Sequence, residues 1–187
     1  MENQEHRQNR EQLQRLDEAT LQHRVERAGR TQVHGVIPNH FFAPASSECR
    51  DAFINGHFYA SISLAQAVAE GISKFLAHLH PLGAKKDPSE QVRRLTKRGV
   101  ISEDAQKAFQ TIWGNDRNTF HHVNPDIPTA PAQLEERAEE CVNALFTIEA
   151  EIFAFDIQDG RLVPKYAAYW PEADDEHLEV FLRLANN

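Results

Sequence analysis

Cysteine is scarce in this chain: Cys49 and Cys141 are the only two in 187 residues. That is too few for a disulfide framework, and no Cys-x-x-Cys pair marks a zinc site. Both read as small buried hydrophobes. No apolar run approaches the roughly 20 residues needed to cross a bilayer, so no membrane association is expected. The opening stretch, Met1 to Glu18, is polar throughout. It does not resemble a secretory signal peptide, and a cytoplasmic location is expected. Positive charge is in deficit as well. The formal net charge is -8, which argues against a surface wholly devoted to nucleic acid but says nothing about one local basic patch. Internal repeats, low-complexity tracts and a nucleotide-binding glycine loop are all missing.

What is there is an ordinary globular balance, 41% hydrophobic and 26% charged, in a chain long enough for one domain with appendages. Residues 3–29 are rich in Glu, Gln and Arg, with Leu13, Leu16, Leu21 and Val25 at loosely helical spacing. This predicts an exposed helical arm docked on the body or on a partner. Breaks follow at Gly35–Pro38 and at Pro44. Helices are predicted over 45–54 and 57–79, the latter with Phe58, Ile62, Ala65, Ala69, Ile72, Leu76 and Leu79 in heptad-like register. Asp87-Pro88-Ser89-Glu90 opens a helix that Gly99 closes, and Ser102 is a good N-cap for the next. The last long helix spans about 132–153. Phe155 to Pro164 suggests a hairpin around Asp159-Gly160, and 172–182 an acidic terminal helix. The sum is an all-α bundle of four to five helices with an N-terminal helical arm and a short C-terminal β-hairpin. Its divisions are an arm at 1–30, a bundle at 31–157 and a remainder at 158–187.

The run Asp116-Arg117-Asn118-Thr119-Phe120-His121-His122 concentrates a fixed cation, an amide and two imidazoles. Arginine offers paired donors to a phosphate, and histidine accepts and returns a proton near neutral pH. These suit transphosphorylation within RNA, in which a 2′-hydroxyl loses its proton while charge grows on phosphorus. The plain alternative is a chance cluster of surface groups. On a regular helix Arg117 and His121 share a face, whereas Arg117 and His122 diverge by roughly 140°. Pairing with His122 requires a kink or a non-helical turn.

Arg117, Asn118 and His122 resemble the signature of the HEPN superfamily (higher eukaryotes and prokaryotes nucleotide-binding). That signature is an arginine, about four to six residues and a histidine, often with Asn, Asp or His after the arginine. The pattern selects His122 over His121. Gly56–Ala60 leading into Ala65–Glu70, and Arg98–Glu103 leading through Phe109 to Trp113, are similar to the helices preceding the motif in prokaryotic members. The resemblance covers about residues 45–155. It implies a four-helix bundle, commonly a homodimer whose motifs share one cleft. It also implies a metal-independent endoribonuclease, in a toxin–antitoxin or defence setting, without cofactor. In catalytic members the Arg meets the scissile phosphate and the His moves the proton. Other members keep the fold and only bind, which leaves a non-catalytic dimerisation, partner-binding or nucleic-acid-binding module as the alternative. RNA and an antitoxin or other protein are thus the expected partners.

Glu70 stands amid the most apolar helix, where family members often carry a polar residue facing the motif. It either orients Arg117 or His122, or lies at the stripe's edge paired with Lys74 at i,i+4. Residues 85–98 hold Lys85, Lys86, Arg93, Arg94, Lys97 and Arg98 against Asp87 and Glu90. They offer phosphate contacts, with His121, or simply a solvated helix face. His78 and His80 read as C-terminal helix caps rather than metal ligands.

Overall fold

A computed structural model describes residues 4–32, 34–38, 40–83, 87–114, 130–171 and 180–183. It is mostly helical, with two small antiparallel sheets. In chain order the elements are α1 (Gln4–Arg30), β1 (Val36–Pro38), α2 (Ala43–Ile54), α3 (Phe58–Leu79), α4 (Pro88–Lys97), α5 (Glu103–Trp113) and α6 (Pro131–Ile152). They are followed by β2 (Phe155–Gln158), β3 (Arg161–Pro164), a 3₁₀ turn at Ala167–Tyr169, and β4 (Val180–Leu182).

The helix boundaries follow local chemistry. The Asp87 carboxylate accepts from the Ser89 amide at 2.9 Å, with Pro88 in the first turn. The Ser102 hydroxyl accepts from the Ala105 amide at 3.1 Å. Each satisfies a donor that the first helical turn leaves open. Glu151 reinforces the second cap by accepting from both the amide and the hydroxyl of Ser102.

The apolar stripe of α3 (Ile62, Ala65, Val68, Ala69, Ile72, Leu76) is fully buried. It packs against α2 and α6, while α5 packs against α6. Phe53, Phe109, Ile112, Leu145, Ile148 and Phe153 complete the core. Burying each such side chain contributes about 1.5–3 kcal/mol, so α3 is the element the bundle is assembled around. Both cysteines are buried and free. Burial pushes the Cys49 thiol up to about 12, and its sulfur donates to the Ser61 carbonyl at 3.2 Å.

The arm is a single helix with no buried residue, and Leu13, Leu16, Leu21 and Val25 are more than half exposed. Its last turns are anchored to the body. Arg27 forks onto Glu135 of α6 at 3.2 and 3.3 Å and lies 5.0 Å above the Phe58 ring. Arg30 reaches Glu139 at 2.7 Å and also pairs with Glu135.

The β2–β3 hairpin turns at Asp159 (φ 51°) and Gly160 (φ 76°), the positive pair that a two-residue type I′ turn requires. Its register sets Phe155 opposite Pro164 and Gln158 opposite Arg161.

The expectation of a terminal helix through 182 is corrected. Residues 180–182 are a strand, with Val36 opposite Leu182 and Pro38 opposite Val180. The ladder continues from the Arg183 amide to the Gly35 carbonyl at 2.8 Å. A buried ion pair explains this. Arg183, 6% exposed, donates to both oxygens of Glu149, which is 1% exposed. Ser46 donates to the same carboxylate, and Arg183 Nε reaches the Ser47 hydroxyl at 3.1 Å. An extended tail delivers that guanidinium to α6. Residues 172–179 lie outside the described part.

Candidate functional site

Arg117, Asn118, His121 and His122 lie outside the described residues. What is described is α5, the helix that precedes that run in the chain. Helix α5 ends at Trp113, and its C-cap Gly114 has a φ of 44° and a ψ of −166°, a region essentially reserved for glycine. The Gly114 amide still donates to the Gln110 carbonyl at 2.7 Å, so helical hydrogen bonding runs up to this residue.

Two polar side chains from other helices hold the last turn of α5. Arg137 of α6 donates through Nη2 to the Thr111 carbonyl at 2.6 Å and, more weakly, to the Ile112 carbonyl at 3.4 Å. Its Nη1 is tied to Glu140 at 3.1 Å. From the opposite side Gln66 of α3, 1% exposed, offers its amide to the same Ile112 carbonyl at 3.4 Å. The final carbonyls of a helix have no partner within it, and a cation there also meets the negative end of the dipole. Trp113, buried beside Phe109 at 5.3 Å between ring centres, completes the turn.

The packing there is not polar-satisfied. Among the described residues, six buried side-chain nitrogen or oxygen atoms lack a hydrogen-bond partner, and three surround this turn: Gln66 Oε1, Trp113 Nε1 and Arg137 Nε. Each such atom costs about 1–3 kcal/mol. Departures of this kind from full satisfaction gather where a chain serves function as well as stability.

Glu70 lies one helical turn beyond Gln66 on α3 and binds Lys74 Nζ at 2.7 Å, with its side chain 29% exposed. It borders an open groove of about 700 Å³ whose walls include Phe41, Gly71, Phe75 and His78. Lys97 and Arg98 sit at the C-terminal end of α4 and are exposed, alongside Arg93 and the half-buried Arg94. Helix α4 buries Gln91, Val92 and Leu95 on its inner side, which turns its cations outward as a solvated face. His80 is the C-cap of α3, as expected, its amide donating to the Leu76 carbonyl at 2.9 Å, while its imidazole bonds the Tyr169 hydroxyl at 2.8 Å. Lys85 and Lys86 lie outside the described residues.

Gln66, Arg137 and Glu149 are polar residues that the sequence reading passed over. Gln66 and Glu149 each occupy a position in an apolar stripe, between Ile62 and Ala69 and between Leu145 and Ile152. That interruption is the signal that marks them. Arg137 carries no such mark, since its role depends on where α5 ends. Among the described residues no group of three or more His, Cys, Asp or Glu side chains is placed to hold a metal ion. Nor is any helix among them long and apolar enough to cross a membrane. No family model matches this chain, no curated protein matches it, and no solved structure matches it.

Proposed function

We propose that this chain is a HEPN-like, metal-independent endoribonuclease acting as a homodimer. What supports the reading is the Arg117–His122 run itself, which gathers a cation, an amide and two imidazoles in one short stretch of sequence. It follows a helix whose final turn is held from α3 and α6 and ringed by unsatisfied polar atoms. The packing of α2, α3, α5 and α6 against one another is compatible with a helical bundle. In the reaction His122 takes the proton from a ribose 2′-hydroxyl. The freed oxygen attacks the adjacent phosphorus, and the 5′-oxygen leaves with a proton. The products are a 2′,3′-cyclic phosphate and a 5′-hydroxyl. Arg117 neutralises the charge that grows on the phosphate, and Asn118 and Glu70 orient the pair. Lys97, Arg98 and His121 contact the RNA backbone. The setting is toxin–antitoxin or defence, with an antitoxin or other protein as regulator.

Purified protein incubated with a mixed RNA pool in EDTA tests this. Wild type is expected to yield 2′,3′-cyclic phosphate ends. His122→Ala and Arg117→Ala are each expected to lower the rate by roughly 10²–10⁴-fold. Wild-type silence, or variants as active as wild type, would sink the assignment.

A second reading, a non-catalytic pairing or partner-binding module, is favoured by the arm, whose four large apolar side chains face solvent. It is the reading that remains if RNA is untouched while the protein still self-associates.

A further inference from the structure

Helix α3 is buried over most of its surface, yet one stripe of it is left open among the described residues. Helices α2, α4, α5 and α6 pack around its apolar side. At 3.6 residues per turn Ala67, Gly71, Lys74 and His78 share the remaining face. Ala67, Lys74 and His78 are exposed, and Gly71 is half-buried. They floor an open groove of about 700 Å³.

The two borders of this face differ in chemistry. Glu70 lies about 60° to one side of Ala67 and Phe75 about 80° to the other. On the first border Lys74 Nζ meets the Glu70 carboxylate at 2.7 Å, with the lysine side chain 65% exposed. On the second, the Phe41 ring lies 3.6 Å from where a Cβ on Gly71 would stand. Phe41 is 79% exposed, more than any other large apolar side chain described. An aromatic ring left in water at the lip of a groove marks a surface that gains from being covered.

A fitting occupant brings small residues to the floor and an aromatic to one border. To the other border it brings a carboxylate and an ammonium one turn apart, in reversed order. Antiparallel α3 of a second copy brings all three. A two-fold axis level with Ile72 lays each border over its own counterpart and reverses its direction. Glu70 then faces Lys74 of the partner subunit, and Lys74 faces Glu70 of the partner subunit, which closes an alternating ring of four charges. Phe41 meets the aromatic border of its mate, and Ala67 and Gly71 allow the two backbones a close approach.

We propose that this face of α3 is where two copies of the chain pair, antiparallel and about a two-fold axis. The aromatic border and the small-residue floor supply the affinity. The charges, exposed and screened, fix orientation more than strength. The nuclease reading calls for a homodimer without naming its face, and the pairing through α3 stands whether or not RNA is cut.

Sedimentation equilibrium of the full-length chain in physiological salt tests this, with urea midpoints checking that each variant is folded. Wild type is expected to form a reversible dimer. Ala67→Arg, at an exposed position, is expected to leave only monomer, and Phe41→Ser to weaken association by roughly 10-fold or more. Glu70→Lys and Lys74→Glu are each expected to weaken it by about 2- to 5-fold. An equimolar mixture of these two variants is expected to associate at least as tightly as wild type, because one copy then brings two ammonium groups to the other's two carboxylates. A wild type that stays monomeric overturns the inference, as do dimers that Ala67→Arg leaves intact, which pair through another face. A mixture no tighter than its separate components also overturns it, by removing the antiparallel register. RNA cleavage by a monomer sinks this pairing and spares the chemistry of the nuclease reading, whereas an α3-paired dimer inert on RNA does the reverse.

Discussion

Both ends of α6 hold a distant piece of chain through arginine and carboxylate, yet the two clasps sit in different surroundings. At the first end Glu135 and Glu139, about a quarter exposed, take Arg27 and Arg30 from the arm. At the other Glu149, 1% exposed, takes Arg183 from the tail. Near water the attraction is modest and largely balanced by hydration of the free partners. In the dry core neither charge can be left alone, so each becomes indispensable once its mate is present. The arm is held by a contact it can lose; the tail is held by one it cannot.

Breaking the buried clasp is the sharpest way to test that contrast. Arg183→Met strands the Glu149 carboxylate and is expected to cost about 3–5 kcal/mol in urea unfolding. Replacing both partners, Glu149→Met with Arg183→Met, is expected to recover most of this, because an apolar pair of similar volume is often neutral or better. A double variant as unstable as the single one would refute the account of the buried pair. At the exposed clasp Arg27→Ala or Arg30→Ala is expected to cost about 0.2–1 kcal/mol, an effect that shrinks in high salt.

Acid separates the regions further. The hydrogen bond from Arg27 is the main reason the Glu135 carboxyl lies below its ordinary 4.5. A carboxylate with a lowered folded value stabilises above 4.5 and loses that contribution as pH falls through the folded value. Glu135→Gln should therefore flatten the acid limb below 4.5. The smallest effect is expected at His34, beside the buried clasp. Burial lowers its value from 6.5, more than offsetting the hydrogen bond to the Phe153 carbonyl. The folded state thus prefers the neutral ring. Its stabilisation is present above 6.5 and fades as pH falls from 6.5 toward the folded value. Urea midpoints of His34→Asn, compared between about pH 5.5 and 7.5, should vary less than those of wild type.

Much of this architecture is legible in the sequence because its causes are local. Asp87 and Ser102 cap the helices they precede. The heptad stripe of α3 from Ile62 to Leu76 is buried, though Leu79 is exposed, and Asp159-Gly160 turns the hairpin. The β1–β4 pairing is not legible. Three residues are too few to show a period of two, and the acidic, Leu- and Val-bearing stretch at 172–182 also satisfies a helical pattern. What decides against helix at 180–182 is Glu149, which needs a cation from an element that no window around residue 180 includes. The candidate site divides in the same way. Its chemistry-bearing run, Arg117 to His122, stands out by residue type alone. The hydrogen bonds from Arg137 to the last carbonyls of α5 depend on two helices meeting and leave no trace in spacing. Glu70 attracted notice as a carboxylate in an apolar helix, and its described ion pair is with Lys74. Among the described residues the carboxylate buried in the core is Glu149.

The two sealed thiols have a practical consequence. Cys49 is buried, with its thiol pushed up to about 12, and Cys141 is buried as well. The nucleophile toward alkylating reagents is the thiolate, so neither sulfur reacts at neutral pH while the bundle is closed. Labelling can proceed only as fast as the core opens. The time course of alkylation is therefore a native stopwatch for rare openings, needing no engineered probe and readable by mass alone.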